Sequence, residues 1–458
     1  MYKNFSYKNY PEIIKLKGLN GFGTKENNSN SSIIHTVTAG ETGSITSGSI
    51  YSYNNFNVIA KDITVNKADG TGVQTSLDSK NHTFSIDFYN KFDVNMTDKG
   101  HGIVANAPNA TIDIDGNGTG SLSVIADENA VSLSRRDDYK NSNGNVIRHV
   151  ENNKINIHDV VDVYIESKGE DEGGALDRGH AIYAHNDGGE IAIDASNDIT
   201  VKAIAGKNAV KTDNDAKVNL TAGNNITVTG TVQGNFDINA QKGTLKVTTT
   251  GDNKQYGLYA QSDKAYLQSG ESEREPQLNV VNVKELNVNS AGMALYAHGA
   301  HLNVNAETVN LTSGDGGIYV DAYPNGGDKG PGITVKEGAG SVTMNVTKAL
   351  NITAAGNGVS LASNNPDKKI NILGTADITI NADGNGVYTR YNNSPAKDNA
   401  INITGSTVKV TSTGKDEGET KDTKGHAVFA NGSAINILAN ERIELTAEMS
   451  GKNAIYAN

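Results

Sequence analysis

Three histidines stand in one recurring context. Gly100-His-Gly, Gly179-His-Ala and Gly425-His-Ala place His101, His180 and His426 after a glycine and two residues before an aliphatic side chain. Imidazole at such positions could act as a general base or hold a metal ion. The same slot, however, is filled by Asn129, Asn208, Asn357, Asn385 and Asn453 in other copies of the context. An amide cannot titrate near neutrality, so no chemistry that needs a proton acceptor can be common to the set. Asn and His do tolerate left-handed backbone, and stacked amides can hydrogen-bond from one copy to the next. The eight residues are therefore expected to form a structural polar ladder at a turn.

An aromatic residue recurs three positions after that slot. Tyr183, Tyr259, Tyr296, Tyr319, Tyr388, Phe429 and Tyr456 each follow the aliphatic residue directly, which puts them on the opposite face of an extended strand. Stacked in register, they would make an outward aromatic stripe. An exposed row of tyrosines offers a platform for sugar rings or a partner protein, because each ring brings a large contact area and a polar tip. The competing expectation is that the rings stack on one another and support the loops above them.

Other chemistry is tested and set aside. Asp113-Ile-Asp-Gly-Asn-Gly118 opens like an EF-hand loop, but the twelfth position is Val124 where a bidentate Glu is needed, and a strand pattern stands in place of a helix. No metal and no cofactor is expected. Gly100-His-Gly102 invites comparison with pectin hydrolases, which also carry an NTD and a paired Asp-Asp before GHG. Here Asp137-Asp138 follows it and no NTD precedes it. The carboxylate pair that sugar hydrolysis requires, roughly 5 to 10 Å apart, has no counterpart among outward strand positions rich in Asn, Thr and Ser. The chain has no cysteine, which removes disulfides, thiol nucleophiles and Cys-ligated metals. A net charge of -12 argues against nucleic acid or an anionic membrane as the main partner. No apolar run approaches the roughly 20 residues of a membrane helix, so direct membrane insertion is not expected.

The elements that must position these residues are written in a repeat. The anchor copies run GHGIVA at Gly100, ENAVSL at Glu128, GHAIYA at Gly179, KNAVKT at Lys207, QYGLYA at Gln255, GMALYA at Gly292, DGGIYV at Asp315, GNGVSL at Gly356, GNGVYT at Gly384, GHAVFA at Gly425 and KNAIYA at Lys452. Several lie about 28 residues apart, a period that signals stacked repeats. Between anchors come two more alternating segments, exemplified by Ile370/Ile372 and Ile378/Ile380. Period-2 alternation of aliphatic with Asn, Thr or Ser marks a strand with one buried face. Three strands and three turns per repeat, stacked at about 4.8 Å, close a core between parallel sheets. The expected fold is all-β, a right-handed parallel β-helix (a three-sheet β-solenoid) with loop insertions around the anchor sheet. Those insertions are Ser134 to Asn153, Lys168 to Arg178, Gln261 to Glu275, Asp321 to Pro331, Arg390 to Asp398 and Gly414 to Lys424. Residues 1–35 show no repeat and are expected to cap the first rung. Residues 36–458 make the solenoid, which stops inside a fresh anchor and is expected to continue in a longer protein.

The iterated GNGVY, INI and ITV code, with Gly/Asn/Thr-rich turns and no cysteine, resembles the passenger region of bacterial type V autotransporters. The resemblance covers about residues 36 to 458. It implies a surface-displayed adhesin on the outer membrane or secreted from it, a C-terminal β-barrel translocator in the full-length protein, and a host-cell or bacterial surface protein or glycan as partner. A polysaccharide-degrading β-helix enzyme and a structural stalk are the alternatives.

Overall fold

The computed structural model describes residues 13–15, 22–23 and 35–457, except 77–80, 134–137, 141–145, 150, 170–178, 187, 205–207, 214–215, 242, 252–254, 262–266, 269–276, 322–332, 335–339, 363–367, 391–397 and 416–424. Most of the residues of the insertions, and Asp137 with them, lie outside the described residues. Among those described there is no helix; the protein is all-β with parallel strands. It divides into two compact units, Met1–Thr229 and Gly230–Asn458.

In the first unit the strands of the repeats pair in parallel with their counterparts one repeat later. Along the anchor strands Ile50 pairs with Val73, Val73 with Ile103, Ile103 with Val131, Val131 with Ile182 and Ile182 with Val210. All six are fully buried. A second ladder runs through Phe84, Ile112, Ile155, Ile191 and Val218, and a third through Phe92, Leu122, Val163, Ile199 and Ile226. Each side chain so buried stabilises the fold by about 1.5 to 3 kcal/mol before entropy is charged against it. The repeat reaches further toward the N-terminus than the motif did. Ile13–Lys15 pairs in parallel with Ser44–Thr46, and Phe22–Gly23 with Ile50–Tyr51, so part of the segment read as a cap belongs to the ladders.

The second unit repeats this plan. Its anchor row is Val232, Leu258, Leu295, Ile318, Val359, Val387, Val428 and Ile455. Val232 lies in Thr231–Gln233, a strand with no Asn or His slot, which is why the motif passed over it. Two expected strands also merge in most of these repeats. Gln277–Ser290, His301–Ser313, Ser341–Ala354, Ala400–Ser412 and Ala434–Ala447 are each continuous. The expected turn is reduced to a register shift, as between Val280 and Val283, where Asn282 takes a φ of 54°. A bulge turns the chain while keeping most ladder bonds, which a full turn would forfeit.

Two short antiparallel pairings lie outside the parallel ladders. Leu267–Gln268 pairs antiparallel with Ile333–Thr334, and in the first unit Asp138–Lys140 pairs antiparallel with Val146–His149. Each of these short strands follows an anchor strand in the chain.

Candidate functional site

Alternation delivers the aromatic residues to one face in register, as expected. Tyr259 pairs with Tyr296 and Tyr296 with Tyr319; Tyr388 pairs with Phe429 and Phe429 with Tyr456. Ser360 interrupts the column between Tyr319 and Tyr388. What fails is the exposure. Tyr183 and Phe429 are each 2% exposed, Tyr296 8% and Tyr388 9%, with Tyr259, Tyr319 and Tyr456 half-buried. The strand spacing supplies one reason, since at about 4.8 Å each ring covers the face of the next. Tyr259 and Tyr296 stack with centroids 4.7 Å apart and planes 9° apart; Phe429 and Tyr456 stack at 5.2 Å and 5°. Tyr388 stacks on Phe429 at 5.4 Å. Ring faces engaged in this way cannot also serve as an open sugar platform.

Among these rings the structure assembles two clusters that the repeat motif did not single out. In Ile182–His185 and Leu295–His298, the tyrosine and the histidine two residues on share the outward face. Register then sets an aspartate beside each histidine: His185 pairs with Asp213, and His298 with Asp321. The Tyr183 hydroxyl donates to Asp213 Oδ2 at 2.6 Å and lies 3.2 Å from His185 Nδ1, which is itself 3.5 Å from Asp213 Oδ2. In the second unit the Tyr296 hydroxyl stands 3.1 Å from both Asp321 oxygens and 3.1 Å from His298 Nδ1, with His298 and Asp321 in hydrogen-bond contact. Burial first, and the Asp321 carboxylate after it, push the Tyr296 phenol far above its ordinary range. Tyr319 is raised by the same two causes in the same order. The clusters differ at one column. Lys211 stands beside Tyr183, its ammonium 3.4 Å from Asp213 Oδ2 and 5.6 Å from the Tyr183 ring centre, whereas Tyr319 occupies that register beside Tyr296. The repeated Tyr-Ala-His tripeptide was the available signal, and only strand register could show which carboxylate faces it.

The turn ladder forms, by a different bond from the one expected. Asn129 Oδ1 accepts from the backbone N–H of His180 at 3.0 Å, Asn357 Oδ1 from that of Asn385 at 2.9 Å, and Asn385 Oδ1 from that of His426 at 3.0 Å. His426 Nδ1 accepts from the N–H of Asn453 at 3.1 Å, and His180 Nδ1 lies 3.2 Å from the Asn208 carbonyl. Side chain thus bonds to backbone across repeats, not amide to amide. None of the eight slot residues has a positive φ. Gly179 and Gly425, both at 85°, take the left-handed conformation one position earlier, where the missing Cβ removes its steric cost. His101 instead pairs with Glu128, Nε2 to Oε2 at 2.6 Å. The histidines remain on separate repeats and converge on no common point.

Two further polar features reach the surface at least in part. Asp115, His158 and Asp159 bring ligand-type atoms within 4.8 Å of one another. They follow from the Asp113-Ile-Asp115 pattern and from a register shift in Lys154–Val160 that turns both His158 and Asp159 outward. Burial alone would lower the His158 pKa, but its hydrogen bond to Asp159 and the charges of Asp113, Asp115 and Asp159 carry it above the ordinary value. In the second unit, amides run in ladders along the outer faces. Asn402 Nδ2 donates to Asn371 Oδ1 and Asn436 Nδ2 to Asn402 Oδ1, each at 2.8 Å. Asn310 bonds Asn287, and Asn351 bonds Asn310, each at 2.9 Å. Asn371 and Asn402, with Lys369, Asp398 and Ser433, line an open groove of about 800 Å³. Compared with protein-family models, curated proteins and solved structures, the chain shows no significant match.

Proposed function

We propose that this chain is a surface-displayed adhesin, folded as a right-handed parallel β-helix of three sheets and similar in plan to an autotransporter passenger. Its partner is a glycan on a host-cell or bacterial surface, bound along the outer amide ladders. In the full-length protein the resemblance calls for a C-terminal β-barrel translocator and display at the bacterial cell surface. One observation carries the choice of surface: the rings of Tyr259, Tyr296, Tyr388, Phe429 and Tyr456 stack on one another, while Asn402 in the row Asn371, Asn402 and Asn436 keeps a donor and an acceptor uncommitted.

An asparagine amide offers two N–H donors and an acceptor oxygen with two lone pairs. Asn402 spends one donor on Asn371 and one lone pair on Asn436, which leaves a donor and an acceptor for a ligand. Repeated at the strand spacing, that pairing is complementary to the hydroxyls of a sugar chain. Individually such contacts are weak, and repetition along the ladder multiplies them. Glycan-array and cell-binding measurements on the wild type, Asn371→Leu and Asn402→Leu test the surface. Binding reduced in both variants, with the melting temperature kept, is the expected result. Undiminished binding in both would remove the amide face from consideration.

A further inference from the structure

We propose that Tyr296, His298 and Asp321 form a binding site for a ferric ion. The three donor atoms already converge. Tyr296 Oη lies 3.1 Å from His298 Nδ1 and 3.1 Å from each Asp321 oxygen, and His298 Nδ1 contacts Asp321 Oδ1. Atoms that share one ion at about 2.0 to 2.2 Å must stand about this far apart from each other. Little rearrangement is needed to admit the ion.

The donor set selects the metal. Phenolate and carboxylate are hard, anionic oxygen ligands, imidazole suits iron as well as zinc and copper, and tyrosine is a known axial ligand of ferric haem. Zinc sites draw on Cys, His and carboxylates, so a tyrosine at the centre of the cluster points away from zinc. Tyr319, the register partner of Tyr296 with its ring 5.3 Å away, brings a second phenol into the cluster. On binding, the Tyr296 O–H bond breaks, the Fe–O bond forms and the proton leaves to solvent; no electron is transferred. Tyr319 and His298 are only half-buried, which leaves a path for entry and positions for water.

In the sister cluster the same acceptors already face a cation. Around Tyr183, His185 and Asp213 the positive charge is covalently built in, as the Lys211 ammonium 3.4 Å from Asp213 and over the Tyr183 ring. The second unit has Tyr319 at the register position that Lys211 takes in the first, so among the described residues the same acceptors have no lysine at that position. Only the second cluster is therefore expected to take iron.

Titrating the purified chain with ferric nitrilotriacetate tests this. The expected result is one ferric ion per chain, a visible phenolate-to-iron charge-transfer band and a high-spin ferric signal by electron paramagnetic resonance. Tyr296→Phe keeps the stacked ring and should abolish the band; Asp321→Asn should weaken it, and Tyr183→Phe should leave it unchanged. Melting curves recorded alongside separate lost binding from lost folding. No band in the wild type, a band that persists in Tyr296→Phe, or one that disappears in Tyr183→Phe would each overturn the assignment. The glycan tests stand apart from this outcome, since the amide ladder shares no residue with the cluster.

Discussion

Lowering the pH should destabilise the first unit through His82. Its side chain is 6% exposed, and neither ring nitrogen has a hydrogen-bond partner. Burial drops its pKa from 6.5 to about 4, because the imidazolium would have to leave water with nothing to receive its protons. The folded chain therefore binds fewer protons than the unfolded chain between these two values. Stability is complete above pH 6.5, falls as the pH descends toward 4, and levels off below that. At about 1.4 kcal/mol per pH unit the interval is worth about 3 kcal/mol. His82→Leu removes the titrating group and two unsatisfied nitrogens in a similar volume, so the variant should be at least as stable as the wild type at pH 7. Acid also protonates carboxylates elsewhere, which makes the difference between the two proteins the quantity to follow. Hydrogen exchange of the strands Thr83–Met96 and Thr111–Asp115, measured at pH 7, 6, 5 and 4.5, reads that difference locally. Wild-type protection should decline more steeply than that of His82→Leu. Parallel profiles for the two proteins would refute the account of His82.

Two predictions address the turn ladder and the packing beneath it. Asn385→Ala removes the acceptor 3.0 Å from the backbone N–H of His426, a buried residue, and should cost about 1 to 3 kcal/mol in thermal or denaturant unfolding. Gly386→Ala sets a new Cβ 2.2 Å from Val410 Cγ1 and 2.6 Å from the Ala427 carbonyl. A backbone oxygen cannot move aside as a side chain can, so this one methyl should destabilise the second unit by about 1 to 3 kcal/mol, read as a lower melting temperature.

Much of the strand plan was legible in the residues, since alternation is a local property. Ile370, Ile372, Ile378 and Ile380 announce their strands and their buried faces, and the structure buries all four. The anchor copies at Ile182, Leu295 and Val387 also fall where the motif put them. Where the motif was incomplete the reading failed: Val232 occupies an anchor strand with Gly230 in place of the Asn or His slot. The slot caps a turn with a side chain, and a strand can pair without one. Merging of the second and third strands was likewise invisible, because a bulge at Asn282 and a turn ask for the same polar residues.

The sequence by itself determined which residues face inward, which repeat, and that Tyr183, Tyr296 and Tyr388 share one side of the anchor strands. Alternation and period are carried by the order of residues alone. Whether those tyrosines meet solvent was decided by the tertiary structure, because exposure depends on what lies one strand away, at a spacing where rings cover each other. The same holds for the Tyr-His-Asp clusters. Tyr296 and His298 are two residues apart in the chain, but Asp321 reaches them only through a register that pairs it with His298 across 23 residues. Register is fixed by many apolar contacts at once, and no local stretch of sequence contains it.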